Sequence, residues 1–250
     1  MSNKMSNTKA RRARVTKNVQ KASAHTFNII LFGSNATPPF HRLSNFHLAL
    51  IKLNVHDLTP AMETVCPKLQ VFLRAHSGRV IYPTSEHFWQ SLKAQSLKAF
   101  SAFVMDGDGL LARWDLATFM RFYPNQEKAA SKLAYWSKKH NRGILAKLAA
   151  KPKRAKLLGW KQGEDMDYER EHLDADLERQ VWLDILKMKY QQNEGPRKVL
   201  LEDTAGKRLV EMARKPTDHW GGMVNHETGE IRGFNAMGQY NEAVRALLSV

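Results

Sequence analysis

The apolar positions of this 250-residue chain come in short runs of differing period. Residues 27–33 (FNIILFG) form a continuous apolar run that predicts a short strand. Asn residues and a Pro pair make 34–45 a loop. Residues 47–55 (HLALIKLNV) alternate in part and predict a second strand. Pro60 and Pro67 break 57–68 into irregular chain, and 69–73 and 79–82 flank His76-Ser77-Gly78 as the arms of a hairpin. After Pro83 the period lengthens. A helix capped by Thr84 or Ser85, with Glu86 in its first turn, should run to about Met105 and stop at Asp106-Gly107-Asp108-Gly109. Residues 110–122, 126–140 and 142–150 also read as helices, and Pro152 opens a short one ending near Gly159. The longest helical pattern is 171–192, where Leu177, Val181, Ile185 and Met188 recur with Trp182 and Leu186 beside them, up to Gly195-Pro196. Short helices are expected at 197–202 and 206–213. Irregular chain rich in Gly, Asn and His follows at 215–235, then a last helix at 238–249 with Tyr240, Val244, Leu247 and Leu248 as its buried stripe. The pattern is that of a mainly α protein with a small β element near its start and no internal repeat.

Composition narrows the partners. The chain is 43% hydrophobic and 25% charged, enough for a packed core. Its net charge of +15 points to an anionic partner, nucleic acid first. Two segments carry the surplus. Residues 1–21 hold seven Lys and Arg and 128–161 hold eleven, with no acid in either. The first 26 residues have almost no large apolar side chains and are expected to be a disordered arm, either nucleic-acid-binding or merely solubilising. Arg11, Arg12 and Arg14 on the arm, and Lys138, Lys139, Lys153 and Arg154 in the second segment, are the candidate nucleic-acid contacts; a solvated helical face explains the second segment equally well. Residues 164–178 reverse the sign with eight acids against Arg170, and could fold back on the basic stretch.

Several chemistries find no support. The single cysteine, Cys66, allows no internal disulfide and no Cys-based zinc site, and nothing in its neighbourhood marks a nucleophile. No phosphate-cradling or dinucleotide-binding glycine motif is present, and no His pair has helical metal-ligand spacing. No apolar run approaches a membrane span, and Ile29–Phe32 is too short for a signal core. The expectation is a cytoplasmic protein away from membranes, without metal or cofactor.

Three segments carry candidate chemistry. The first is Leu43-Ser44-Asn45-Phe46, two polar groups and a ring ahead of a strand. In the second, Tyr82 to Lys93, the spacing of Glu86, Gln90 and Lys93 sets a carboxylate, an amide and an amine on one helix face. That stripe either faces solvent or builds a site. The third joins Asp218-His219-Trp220-Gly221-Gly222 to Gly233-Phe234-Asn235-Ala236-Met237-Gly238, where glycines permit close backbone approach; an ordinary surface loop is the alternative.

In this order, and with Leu209-Val210-Glu211, Val244-Arg245 and the Val181-Trp182 to Lys189-Tyr190 helix, these pieces resemble the NADAR (YbiA-like) family. The resemblance covers about 27–53, 79–95 and 150–250. It makes 27–250 a single domain with insertions at about 54–78 and 96–148. It implies a compact, mainly helical fold and N-glycosidase activity on bonds to ribose. Some members act on riboflavin-pathway intermediates, and others remove ADP-ribose from guanine in DNA. The family's essential Glu falls on Glu86 and its Asp on Asp218. A family Trp expected near 172–174 is missing, since His172, Leu173 and Asp174 stand there; its role is lost or passes to Trp160 or Trp182.

For N-glycoside cleavage Glu86 is the candidate carboxylate at the anomeric carbon, Asp218 would hold ribose hydroxyls or share the base work, and Lys93 would bind phosphate or form a Schiff base. Phe46 and Trp220 would stack on a ring. Ser44, Asn45, Gln90, Gly221, Asn235 and Gly238 would line the ligand, and Arg245 would meet a diphosphate. The expected partner is an ADP-ribose-like or ribosylated small molecule, or ADP-ribosylated DNA. The competing reading is a non-catalytic basic nucleic-acid-binding protein on the same fold. A nuclease using the acidic block is a third.

Overall fold

The structure, a computed structural model, describes residues 27–168 and 173–250. The N-terminal arm with Arg11, Arg12 and Arg14 lies outside the described residues. Among the described residues the chain is mainly α, with eleven α-helices and six short strands paired in twos. No helix among them is long and apolar enough to cross a membrane.

The expected first strand is present as β1 (Ile29–Phe32). Its partner is β4 (Arg208–Glu211), aligned parallel from Ile29 opposite Arg208 to Phe32 opposite Glu211. The sequence pattern puts a helix at 206–213. A buried run as short as Leu209-Val210 has no period of its own, and a strand partner nearly 180 residues away decides its state. The second expected strand shortens to β2 (Ile51–Asn54), antiparallel to β3 (Arg79–Tyr82).

The segment between β2 and β3 is helical rather than irregular. Pro60 opens α1 (Pro60–Val65), since the first turn needs no proline N–H, and Thr59 Oγ1 accepts the Met62 N–H. Residues 69–73 are no hairpin arm but belong to α2 (Leu69–Ala75), which buries Leu69, Phe72 and Leu73.

The helix after Pro83 is α3 (Ser85–Ser91), capped by Thr84 Oγ1 on the His87 N–H. It does not continue to Met105. Ser96 accepts the Ala99 N–H and starts a separate α4 (Leu97–Phe103). Asp115 likewise delays the next helix to α5 (Leu116–Phe122). Helices α6 (Gln126–Lys138), α7 (Ile144–Ala149) and α8 (Pro152–Ala155) follow, and the chain turns at Gly159 with φ 70°. In α6 only Ala129 is fully buried, so the helix shows most of its basic surface to solvent.

The long helix α9 (Ala175–Gln192) starts at the Asp174 cap. It buries Val181, Trp182, Ile185, Leu186 and Tyr190 and packs against α1, β2 and α3. Gly195-Pro196 does not end the helical path; both lie in the first turn of α10 (Glu194–Lys198). Residues 199–203 form a π-type turn, and 215–235 contain a small hairpin of β5 (Met223–Val224) and β6 (Ile231–Arg232). The last helix, α11 (Ala236–Leu248), packs on α9 and β4. It buries Met237, Tyr240, Asn241 and Val244, while Leu247 is 59% exposed and Leu248 half-buried.

One apolar core joins these elements. It includes Met62, Leu69 and Phe72 from the first expected insertion and Phe100, Phe119 and Phe122 from the second. Both segments therefore pack into the same body as the rest.

Candidate active site

Every residue of α3 from Ser85 to Ser91 is buried, which excludes a solvent-facing stripe. Glu86 is 3% exposed and Gln90 7%. Gln90 Nε2 donates to Glu86 Oε1 at 2.9 Å from one turn along the helix. Asn45 Nδ2 donates to Glu86 Oε2 at 2.6 Å, and the Glu86 N–H returns a bond to the Asn45 carbonyl at 3.1 Å. Both carboxylate oxygens therefore accept an amide donor, and the group is fixed in orientation.

The loop that delivers Asn45 is held from two sides. Beneath it, Lys189 of α9 donates from Nζ to the carbonyls of Leu43 (3.2 Å) and Ser44 (2.9 Å). Ser44 Oγ accepts the Phe46 N–H, so Ser44 shapes the loop rather than lining the cavity. On the far side the Gly143 N–H donates to the Phe46 carbonyl. A Cβ on Gly143 would stand 2.8 Å from Glu86 Cβ and 2.9 Å from Phe46 Cδ1, so the approach requires glycine.

Opposite α3, β4 ends at Glu211 and the 218–221 loop crosses beside it. Asp218 Oδ1 accepts the N–H groups of Trp220 (2.9 Å) and Gly221 (3.1 Å), which folds that loop into a tight Asx turn. A Cβ on Gly221 would lie 2.7 Å from the Glu211 carbonyl. Three indoles form the floor. Trp89 stacks on Trp182 at 5.0 Å between centroids, and Trp220 meets Trp182 edge-on at 5.6 Å.

These walls enclose a cavity of about 660 Å³, the size of a small-molecule site. Glu86, Asn45, Phe46, Gln90, Lys93, Asp218, Trp220 and Gly221, drawn from three distant segments, all line it.

Comparison with family models, curated proteins and solved structures returned no match. The geometry alone therefore sorts the remaining candidates.

Besides Ser44, three residues expected at the ligand do not line the cavity. Asn235 adopts the left-handed conformation at φ 54°, donates from Nδ2 to the Leu209 carbonyl and accepts the Glu211 N–H on Oδ1. It fastens β4 and thereby places Glu211. A Cβ on Gly238 would fall 2.1 Å from the Leu209 carbonyl, so this glycine serves helix–strand packing. Arg245 gives its guanidinium to the carbonyls of Thr204 and Lys207 and to Thr204 Oγ1, so it is no diphosphate contact at this cavity.

Of the expected nucleic-acid contacts, Lys138 and Lys153 are exposed and Lys139 half-buried. Arg154 instead donates to the Phe122 carbonyl and lies over the Tyr123 ring. Of the two tryptophans expected as replacements, Trp182 lines the cavity, whereas Trp160 is buried against Phe103. Leu173 lines it too, and His172 lies outside the described residues. Among the described residues no three His, Cys, Asp or Glu side chains are grouped to hold a metal ion, so the acidic block builds no nuclease-type cluster there.

The structure adds residues that sequence reasoning passed over. Glu211 faces the cavity with its carboxyl pushed up to about 8, first by burial and then by the nearby Glu86 and Asp218, with Lys147 and Lys189 opposing. Its signal was the Leu209-Val210-Glu211 segment, read only as part of a resemblance. Burial lowers the Lys189 amine to about 7, with Glu211 opposing. Trp89, Lys147 and Lys151 also line the cavity. The apolar pattern marks Trp89 as core and the charge pattern marks the two lysines as surface.

Proposed function

We propose that the protein is an N-glycosidase that hydrolyses an N-glycosidic bond to ribose or ADP-ribose. Its substrate on this reading is ADP-ribosylated guanine in DNA or a ribosylated metabolite, in the cytoplasm. The observation that carries the reading is the buried Glu86 carboxylate, held on both oxygens by Asn45 and Gln90 in a cavity that also presents Glu211. The likeness of the motif order to the NADAR family supports it, as do the indole floor for a flat base and the lone, buried Cys66, which suits a reducing compartment.

On this reading the bond from C1′ to the base nitrogen breaks and its electron pair leaves with the base. Glu211, still protonated near neutral pH, gives its proton to the departing nitrogen. Positive charge gathers on C1′ and the ring oxygen, and the fixed Glu86 carboxylate stabilises it. Water then attacks C1′ and Glu86 takes its proton, leaving free ribose or ADP-ribose. Asp218 holds ribose hydroxyls, Trp220 and Phe46 stack on the base, and Lys93 supplies a cation to the same wall.

The test is release of ADP-ribose from ADP-ribosylated guanine DNA, and of ribose from ribosylated metabolites. Glu86→Gln should lower turnover roughly 10²–10⁴-fold in protein that near-ultraviolet circular dichroism shows to be folded. Wild-type turnover in that variant removes the assignment. The solvent-facing basic surface of α6 favours a second reading, a polyanion-binding protein without catalysis. Salt-sensitive DNA binding with no release of ADP-ribose would select it.

A further inference from the structure

Arg245 was the expected diphosphate contact, and its donors are committed elsewhere. The cavity has other cations. Lys147 lies on α7, Lys151 stands just before α8, and both line the cavity. Lys147 Nζ stands 5.1 Å over the centroid of the Phe46 ring, which holds the ammonium against the cavity wall. It is also close enough to Glu211 to oppose the upward shift of that carboxyl. Lys151 is exposed, in extended backbone at the N-cap of α8.

Neither lysine forms an ion pair with a carboxylate among the described residues, and their own segment, 128–161, contains no acid. Gly33, Ser34 and Asn35 line the same cavity, and Ser34 Oγ accepts Asn141 Nδ2, which brings this polar turn to the start of α7.

The geometry points to a phosphate subsite at Lys147 and Lys151, which selects ribosyl substrates carrying a phosphate or diphosphate on the sugar. This rests on the N-glycosidase reading for the sugar but not for the anion. The two ammonium groups, one pinned near the carboxylates and one at the mouth, form a cationic path leading out from the reaction centre. A ribose whose C1′ lies at Glu86 and Glu211 would point its phosphate along that path. The phosphate can belong to a free nucleotide-like ligand or to a nucleic-acid backbone, and the chemistry recognised is the same.

Calorimetric binding separates these outcomes without turnover. The probes are ADP-ribose, ribose 5-phosphate, ribose and an unmodified duplex oligonucleotide. They are titrated into the wild type, Lys147→Ala/Lys151→Ala, Lys147→Arg/Lys151→Arg and a control, Lys98→Ala/Lys187→Ala, at two exposed lysines away from the cavity. We expect the double alanine variant to bind ADP-ribose and ribose 5-phosphate roughly 10²-fold more weakly, as loss of charge-assisted bonds gives. The arginine variant should keep most of the affinity and the control all of it. If the duplex competes with ADP-ribose in the wild type and stops competing in the alanine variant, the backbone is a source of the phosphate. If it never competes, the source is a free ligand. Equal ADP-ribose affinity in wild type and alanine variant, or no preference of the wild type for ribose 5-phosphate over ribose, overturns the subsite. A fold check by near-ultraviolet circular dichroism accompanies each variant. Lysine-dependent binding with no release of ribose would overturn the glycosidase reading and leave the subsite standing.

Discussion

Glu211 couples the chemistry of the cavity to pH. Burial first, and then Glu86 and Asp218, raise its carboxyl from 4.5 to about 8. Between those values the folded protein keeps a proton that the unfolded chain has released. This contribution to stability is full below pH 4.5 and is lost as pH rises through about 8. Lys189 acts in the opposite sense between about 7 and 10.5, where the folded state has already given up its proton and stability grows with pH. The window from 4.5 to 7 therefore belongs to Glu211 between these two groups. Burial lowers His47 to about 3 and His87 to about 4, so both make stability rise with pH here, and urea unfolding across that window should show a steeper rise in Glu211→Gln than in the wild type. The same proton predicts the rate profile. Turnover should decline above about pH 8, and Glu211→Gln should lose roughly 10²–10⁴-fold in rate along with that alkaline limb. An unchanged alkaline limb in the variant would assign the proton to another group. Glu86, Asn45 and Gln90 were legible as residue types at a spacing. Their burial was not, because a polar stripe on a helix looks the same in sequence whether water or a cavity lies over it.

At the scale of elements, the site depends on a seven-residue helix with no exposed face. Helix α3 is short because Ser96 captures the Ala99 N–H and begins α4, a competition that the continuous apolar pattern from 85 to 105 concealed. Its approach to α7 is set by Gly143. Two Cβ atoms fixed to backbone at 2.8 Å have no flexible end to yield, so one element must move. Gly143→Ala should cost roughly 1–3 kcal/mol of stability, read from the urea midpoint. It should also weaken turnover by displacing Glu86 from Asn45. Wild-type stability and rate together in this variant would show that α3 and α7 are free to separate. The prolines at 60 and 196 carry the same lesson. Each stands in the first turn of a helix, where its missing N–H is harmless, yet each reads as a breaker when only its neighbours in sequence are considered.

Across the whole molecule, the decisive contact joins strands nearly 180 residues apart. The pairing of β1 with β4 carries Glu211 to the cavity, and α11 locks β4 through Asn235 and the close approach of Gly238. Arg245, further along α11, ties the Thr204–Lys207 turn that precedes β4. Its role is thus support of the strand, not capture of a ligand. Arg245→Met leaves those carbonyls without their donor and should lower stability by roughly 1–3 kcal/mol. Calorimetry should show ADP-ribose affinity unchanged in the protein that remains folded. A large loss of affinity with no loss of stability would return Arg245 to the ligand. The net charge of +15 also takes on a shape at this scale. Most of α6 faces solvent, while Lys147 and Lys151 turn toward the cavity, so one basic segment in sequence serves two surfaces in the fold.

The sequence by itself determined the helical character of the chain, the existence of β1, the long helix α9 and the residue types of the three segments that meet at the cavity. These follow from local periodicity and side-chain chemistry, which neighbouring residues fix. Only the tertiary structure decided that α3 is wholly buried, that Leu209-Val210 is a strand, and that Glu211 joins Glu86 while Arg245 and Asn235 serve the scaffold. Each of these depends on partners far away in the chain. A buried position, a parallel strand pair and a raised carboxyl pKa are properties of what surrounds a residue in space.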